Sequence, residues 1–467
     1  MRYRNLGTWD TQRQNQKGDF LRMGLFNDTL ELLQGLIRNR CINDGTPGSG
    51  HEYRNADLLE EFFEGSGAQV ERFEPEPGRV SIAFTVPGSN PTAEPLTMLG
   101  HLDVVPVDED KWTHDPFGAE VVDGVLYGRG VFDMLFITAS QAAVTRETAR
   151  RAQAGNPPKG TVAFVGLADE ESGGRLGARW ISENRPDAFS WKNCLSETGG
   201  SHLPVRDGSD ALVINVGEKG IFQRRLHATG DTGHGSLPYG KSSSILTLAE
   251  AARRVGALAM PPAYDHVWSW FVEAFHFDPD TTAALVDGSA GDATYETFGE
   301  LAAFAHSFSH TNIAFTGIHG GSAINVIPSK AYLNLDIRAH PTDTADSVDA
   351  ALIAALGDMA DEIRIEHLNN ETPSASPAEG PLWDAMAATF GEFFPEASVV
   401  PIYASGGSDL RFARRMGGVG YGFALHARAR DLASANNELH SHDECLHLED
   451  LDLTVKAYDA LVQRFCG

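Results

Sequence analysis

The segment Ala168-Asp169-Glu170-Glu171-Ser172-Gly173-Gly174 sets two adjacent carboxylates directly after an apolar run, Thr161 to Leu167. Carboxylates held close together at the mouth of a buried strand repel unless they share a proton or a cation. A metal ion relieves that conflict, because one carboxylate can bind it while the other moves protons. Metal-assisted hydrolysis is the chemistry this suggests, and the missing ligands must then lie elsewhere in the chain.

Three other segments can supply them. The apolar stretch Leu96 to Gly100 ends at His101-Leu102-Asp103. A His at the carboxyl end of a buried strand sits where open α/β sheets place ligands, and Asp103 can accept a hydrogen bond from its ring and fix the tautomer; the plain alternative is a strand-end His beside a turn Asp. Tyr127-Gly128-Arg129-Gly130-Val131-Phe132-Asp133 opens a long helical pattern. Asp133 there reads either as an N-cap or as a metal-bridging carboxylate. In Asn193-Cys194-Leu195-Ser196-Glu197-Thr198-Gly199-Gly200, Glu197 is a candidate ligand and Cys194 a buried, inert thiol. Leu439-His440-Ser441-His442-Asp443-Glu444 gathers polar groups, with either His able to point inward or the whole stretch a solvated loop. Together, two His and three or four acids at strand ends and turns match a carboxylate-bridged dinuclear site. Such a donor set suits zinc, with cobalt or manganese as substitutes.

The elements that must position these residues follow from periodicity. Helices are predicted over Leu25–Asn39, Ala56–Glu64 and Asp133–Gln153, and strands over Val80–Val86, Leu96–Leu99 and the run before Ala168. Strands alternating with helices imply an α/β domain with a mostly parallel sheet and helices on both faces. After Gly217 the pattern changes to strand Phe222–Ala228, helix Ser242–Val255, strands Asn312–Gly317 and Ala331–Arg338, helix Asp343–Met359 and strand Glu362–Leu368. That is a β-α-β-β-α-β, ferredoxin-like module, with an aromatic, partly helical insert at about 257–310. The expected organisation is a catalytic domain in two parts, 1–217 and 371–467, interrupted by a smaller domain at 218–370.

The chain has 467 residues and is acidic, 37 Lys+Arg against 64 Asp+Glu, a formal net charge of -27. This disfavours nucleic acid and anionic lipid as partners. The four cysteines are irregularly spaced with no C-x-x-C pair, which argues against a disulfide framework or zinc finger. The start, M-R-Y-R-N-L-G-T-W-D, has no apolar core of a signal peptide, and no run of apolar residues reaches the length of a membrane span. A cytoplasmic protein without membrane partners is expected.

The motifs G-H-L-D-V-V-P, L-Y-G-R-G-V-F-D-M, D-E-E-S-G-G, S-E-T-G-G and L-H-S-H-D-E occur in one order along the chain. In that order they resemble the zinc metallopeptidase family of aminoacylase-1, succinyl-diaminopimelate desuccinylase and bacterial glutamate carboxypeptidase, over about Leu25 to Val462. The resemblance implies two zinc ions per chain, one on His101, Asp133 and Glu197, the other on Asp133, Glu171 and His440, with Asp133 bridging. The family pattern His-x-x-x-Glu selects His440 with Glu444. Glu170 is implied as general base, Asp103 as the residue orienting His101, and His234, in Gly233-His234-Gly235, as an oxyanion donor. Asn325, Arg338, Gly407 and Ser408 are implied to contact substrate. The interrupting module would be a lid and a homodimerisation surface. The implied reaction is cleavage of an amide bond in a small peptide with a free carboxylate, or of an N-acyl amino acid. Two departures stand out: Leu135-Phe136 replaces the Lys-Gly of many relatives, and the insert is long. Arg411, Arg414 and Arg415 read as a solvated helix face.

Overall fold

The computed structural model describes residues 24–467 apart from Arg206 and Ala290, so the polar start read above lies outside the described residues. Two compact units emerge. The first comprises the described residues up to Asn215 together with Ser376–Pro401 and Ser408–Gly467, and the second Val216–Ala375 with Ile402–Gly407.

The first unit is built on a sheet with strands in the order Gln69–Glu76, Arg79–Val86, Val162–Leu167, Leu96–His101, Asn193–Ser196, Val419–Gly422 and Asp210–Glu218. Its central four strands, Val162–Leu167 through Val419–Gly422, are parallel. The flanking pairs are antiparallel. Alternation in the strands sends side chains to both faces. Ala83, Leu99, Ala163, Val165 and Leu167 pack with Ile181 and Leu410, from the helices Ala178–Asn184 and Leu410–Arg415. On the other face Phe84 stacks on Phe63 at 3.8 Å and lies 6.2 Å from Phe164. Covered on both faces, the strands can be apolar throughout, and every residue of Leu96–His101 and Val162–Leu167 is buried. Because these strands run in one direction, they deliver His101, the Glu170-Glu171 turn and Glu197 to one edge of the sheet, with His101 level with Leu167.

The second unit has the antiparallel order Asn312–Gly320, Lys330–Ala339, Arg224–Thr229, Ile363–His367. The helices Ser244–Gly256 and Ala345–Leu356 bury Leu248, Ala251, Val348 and Leu352 against Leu226, Leu333 and Leu335. In chain order this is β-α-β-β-α-β. The Ser243 and Thr344 side chains accept backbone N–H groups at the two helix starts, which fixes where the helices begin.

The insert is a helical cluster of its own, His266–Glu273, Pro279–Asp287, Asp292–Tyr295 and Ala302–Ser309. Its heart is aromatic: Phe271 lies 5.1 Å from Phe275, 5.7 Å from Phe298 and 5.0 Å from Phe308. Lys219, buried, donates from Nζ to the carbonyls of Ser307 at 2.8 Å and His310 at 2.7 Å, holding the end of the cluster to the start of the unit. No helix among the described residues is long and apolar enough to cross a membrane. Phe271→Ala should remove a fully buried ring and cost about 3–5 kcal/mol, measured as a lowered urea midpoint.

Candidate metal centre

His101 ends its strand with a fully enclosed ring. Nε2 lies 3.3 Å from Asp133 Oδ1 and 3.8 Å from Glu197 Oε2. Nδ1 is 2.9 Å from the backbone carbonyl of Asp103. The orienting contact therefore comes from the Asp103 main chain, whereas its carboxylate stands 3.8 Å off. That carboxylate has other work. Oδ2 accepts from Asn43 Nδ2 at 2.8 Å and from the Glu171 N–H at 3.2 Å, and Oδ1 accepts the Glu170 N–H at 3.2 Å.

Asp133 does not cap the following helix. The helix begins at Phe136, and Asp133 sits in an irregular turn, Val131–Leu135, with non-helical backbone at Asp133 and Met134. The turn is set by a residue more than 300 positions away. Buried Glu444 accepts the N–H groups of Phe132 at 2.8 Å and Asp133 at 3.1 Å on Oε1. Its Oε2 takes the Gly130 N–H at 3.0 Å and Arg129 Nη1 at 2.7 Å. With its backbone held, Asp133 turns Oδ1 to His101 and Oδ2 to His440 Nε2 at 3.2 Å; the same His440 nitrogen is 3.3 Å from Glu171 Oε2. His442 is exposed, and it is His440 that faces the acids. Glu197 is presented by a turn through Gly199 and Gly200. At Gly200, with φ of +72°, a Cβ would come within 2.0 Å of the Ala424 carbonyl oxygen, so only glycine fits.

Two donor sets result, His101/Asp133/Glu197 and Asp133/Glu171/His440, each with one atom per residue mutually within 4.8 Å. Glu171 Oε1 is buried with no hydrogen-bond partner, the sort of lone pair a cation satisfies. The electrostatics agree. Burial pushes the Glu197 carboxyl well up, and Glu170 and Asp133 add repulsion. Burial also drives Glu170 well up, reinforced by Asp409 and Glu171 and opposed by His101 and Arg411. Burial would raise Asp133 too, but its bonds to His101 and His440 hold it far below the carboxylate range. His440 is pushed up to about 10 by hydrogen bonds to Asp133 and Glu171.

A model of peptidase family M20/M25/M40 matches residues 97–464. The chain belongs to that family. It is similar to the succinyl-diaminopimelate desuccinylase of Rhodopseudomonas palustris, 26% identical over 450 residues, with 93% of this chain and 98% of that protein covered. Its fold resembles the M20 metallo-carboxypeptidase Sso-CP2 of Sulfolobus solfataricus, with a TM-score of 0.71, 16% identity, and 94% and 99% of the two chains covered. The yeast di-peptidase Dug1p is similar at 0.67 and 16%, with 97% of each chain covered. This M20 chain is a metal-dependent hydrolase of amide bonds.

Of the remaining residues singled out from sequence, the second unit of the M20 chain brings two together. His234 is exposed, with Nδ1 2.7 Å from Ser236 Oγ, and pairs across a short ladder with Val326, next to Asn325. Arg338, half-buried, directs Nε to Asp336 Oδ2 at 3.0 Å. Ser408 is buried, as are Asp409 and Arg411; Arg411 is thus no part of a solvated face, and it acts on Glu170. Cys194 is buried and free. Sequence reasoning passed over Arg129 and Asn43, whose polar neighbours are distant in the chain.

Two outcomes follow from this geometry. Glu444→Ala leaves buried Arg129 and three N–H groups without their acceptor, so it should cost about 3–5 kcal/mol, read as a lower unfolding midpoint, and should release metal. At pH 7 His440, with its pKa near 10, carries a proton that a ligating imidazole must lose. Metal binding to chelator-stripped protein should therefore release protons, about one fewer in His440→Ala, measured by calorimetry in buffers of different ionisation enthalpy. The raised pKa also fixes a sign: His440 stabilises the stripped protein fully below its ordinary value of 6.5, and that contribution is lost as pH rises through about 10.

Proposed function

We propose that the chain uses two zinc ions per molecule to hydrolyse the amide bond of a small substrate with a free carboxylate, in the manner of a carboxypeptidase or dipeptidase. The observation that carries this is the division of Asp133 between His101 and His440, 3.3 Å and 3.2 Å from its two oxygens. Zinc fits the donors, which are imidazole and carboxylate with no thiolate, and cobalt or manganese can take the same ligands. His101, Asp133 and Glu197 would hold one ion and Asp133, Glu171 and His440 the other. When bound, such a pair polarises a carbonyl and lowers the pKa of water.

Glu170 is the general base in this reading. Its carboxylate takes a proton from the attacking water and returns it to the leaving amine nitrogen, and desolvation raises its pKa well above the ordinary carboxylate value. His234 donates to the developing oxyanion. Arg338 pairs the substrate carboxylate through its planar fork, and Asn325, Gly407 and Ser408 make further substrate contacts. The second unit serves as lid and as the surface of a homodimer, which sedimentation can test. A cytoplasmic location accords with the free, mostly buried thiols.

A second reading, deacylation of an N-acyl amino acid, is favoured by the desuccinylase relative that spans 93% of this chain. A panel of dipeptides, N-acetyl and N-succinyl amino acids, each with Zn, Co and Mn, separates the two. Chelation should abolish turnover. Glu170→Gln should lower kcat by about 10²–10⁴-fold with metal content unchanged; retained turnover in that variant would remove Glu170 from the mechanism.

A further inference from the structure

Behind the Glu170-Glu171 turn lies a buried polar network that no metal triad uses. Arg79, at the start of its strand, forks onto Glu52, with Nε to Oε2 and Nη2 to Oε1 both at 2.7 Å. Nη2 also reaches Asp169 Oδ1 at 2.8 Å. Glu52 Oε1 accepts the Asp169 N–H at 3.2 Å, so the pair grips Asp169 by side chain and backbone at once. Asp169 Oδ2 accepts the Leu176 N–H at 2.9 Å, closing the turn on its far side. Asn43 adds a second hold. Its Nδ2 donates to Asp103 at 2.8 Å and Asp169 at 3.2 Å, and its Oδ1 accepts the Ser172 hydroxyl at 3.0 Å. Glu52, Arg79, Asp169 and Asn43 are all buried.

This arrangement is more than a satisfied core ion pair. Asp169 has φ of +70°, a backbone state that non-glycine residues seldom adopt. It is the residue immediately before Glu170, so its twist sets the direction from which Glu170 departs. Such a state persists only where surroundings over-determine it, and here four separate hydrogen bonds converge on one residue. Even the approach is fitted: at Gly50, with φ of +87°, a Cβ would lie 2.6 Å from both Arg79 Nε and Glu52 Oε1.

We propose that Arg79, with Glu52, is a positioning residue for the amide-bond hydrolysis, fixing the twisted Asp169 so that the Glu170 carboxylate is aimed at the reacting atoms. The inference rests on the reading of Glu170 as general base. Arg79 acts through Asp169 and touches no substrate. Lysine keeps the charge but cannot fork onto Glu52 while reaching Asp169.

The test uses full-length, metal-loaded enzyme and the best substrate of the panel above. Arg79→Lys should lower kcat about 10–100-fold, since a misplacement of the order of 1 Å costs about that much, with KM within about twofold and metal content unchanged. In the Glu170→Ala background the same substitution should change residual kcat by less than about twofold, because the residue it aims is gone. A scaffold role alone would lower kcat equally in both backgrounds. An activity-independent readout accompanies this: amide hydrogen exchange at Glu170, Glu171 and Leu176 should speed up in Arg79→Lys, with distant strands unchanged. If Arg79→Lys does not fold, Asn43→Ser, which loosens the same turn from its other side, carries the same comparison. Unchanged kcat, an equal loss in both backgrounds, or loss of metal from the variant overturns the proposal. Full turnover in Glu170→Ala overturns the general-base reading itself, and so is distinguishable from failure of the Arg79 inference.

Discussion

Asp133 has one carboxylate and two imidazoles to face. Oδ1 lies against His101 and Oδ2 against His440, on opposite sides, so a small rotation of the turn would lose one contact or the other. The backbone of Val131–Leu135 leaves the helical range at Asp133 and Met134, so helical hydrogen bonding does not set the direction of the Asp133 side chain. Glu444 supplies the restraint. It gathers three N–H groups and a guanidinium onto its two oxygens, two of the N–H groups from within the turn. Burial pushes its carboxyl up to about 7, against the pull of Arg129. Such a group would be a liability anywhere its bonds were incomplete.

The same logic separates the acids of the first unit into two kinds. Asp103, Asp169, Glu52 and Glu444 are buried and fully engaged with N–H, amide or guanidinium donors. They shape the backbone. Glu170 and Glu171, half-buried, and Glu197, buried, face other acids instead, whose repulsion adds to the desolvation that raises their pKa. They are kept under electrostatic tension that a bound cation relieves. A cluster made only of the second kind would not fold to one arrangement, and a cluster made only of the first would have nothing to offer a metal.

Much of this was legible in the chain. The apolar runs ending at His101, Ala168 and Glu197 show where a parallel sheet delivers its polar ends, and the turn chemistry after them shows that the ends are not capped by helices. The ferredoxin-like order could be read because its strands alternate and its helices repeat at three and four. What was not legible shares one cause, dependence on long-range geometry. Asp133 beside a helix start has the local signature of an N-cap, and only Glu444 from the far end of the chain changes that outcome. Arg411 carries the pattern of an exposed helix face, yet the helix Leu410–Arg415 is pressed onto the sheet and buries it. Asn43 and Arg79 look like turn and strand-edge residues, because their partners at Asp103 and Asp169 lie 60 and 90 positions away. The sequence offers the Asp103 carboxylate as the partner of the His101 ring, whereas it is the carbonyl that meets it.

The pairing of residues 129–133 with 440–444 also has a consequence in time. During synthesis the sheet strands through Asn193–Ser196 emerge early, carrying His101, Glu171 and Glu197, yet Arg129 must wait 315 residues for Glu444. At a translation rate of about 5–20 residues per second, that interval is on the order of tens of seconds. Throughout it the nascent chain holds an unpartnered guanidinium, an untethered Asp133 turn and a ligand set short of His440. The second unit, whose strands pair among themselves, lies wholly within this interval and can form while the first is still incomplete. Maturation of the centre is thereby postponed until His440 and Glu444 have been made, when the later segment locks the earlier one.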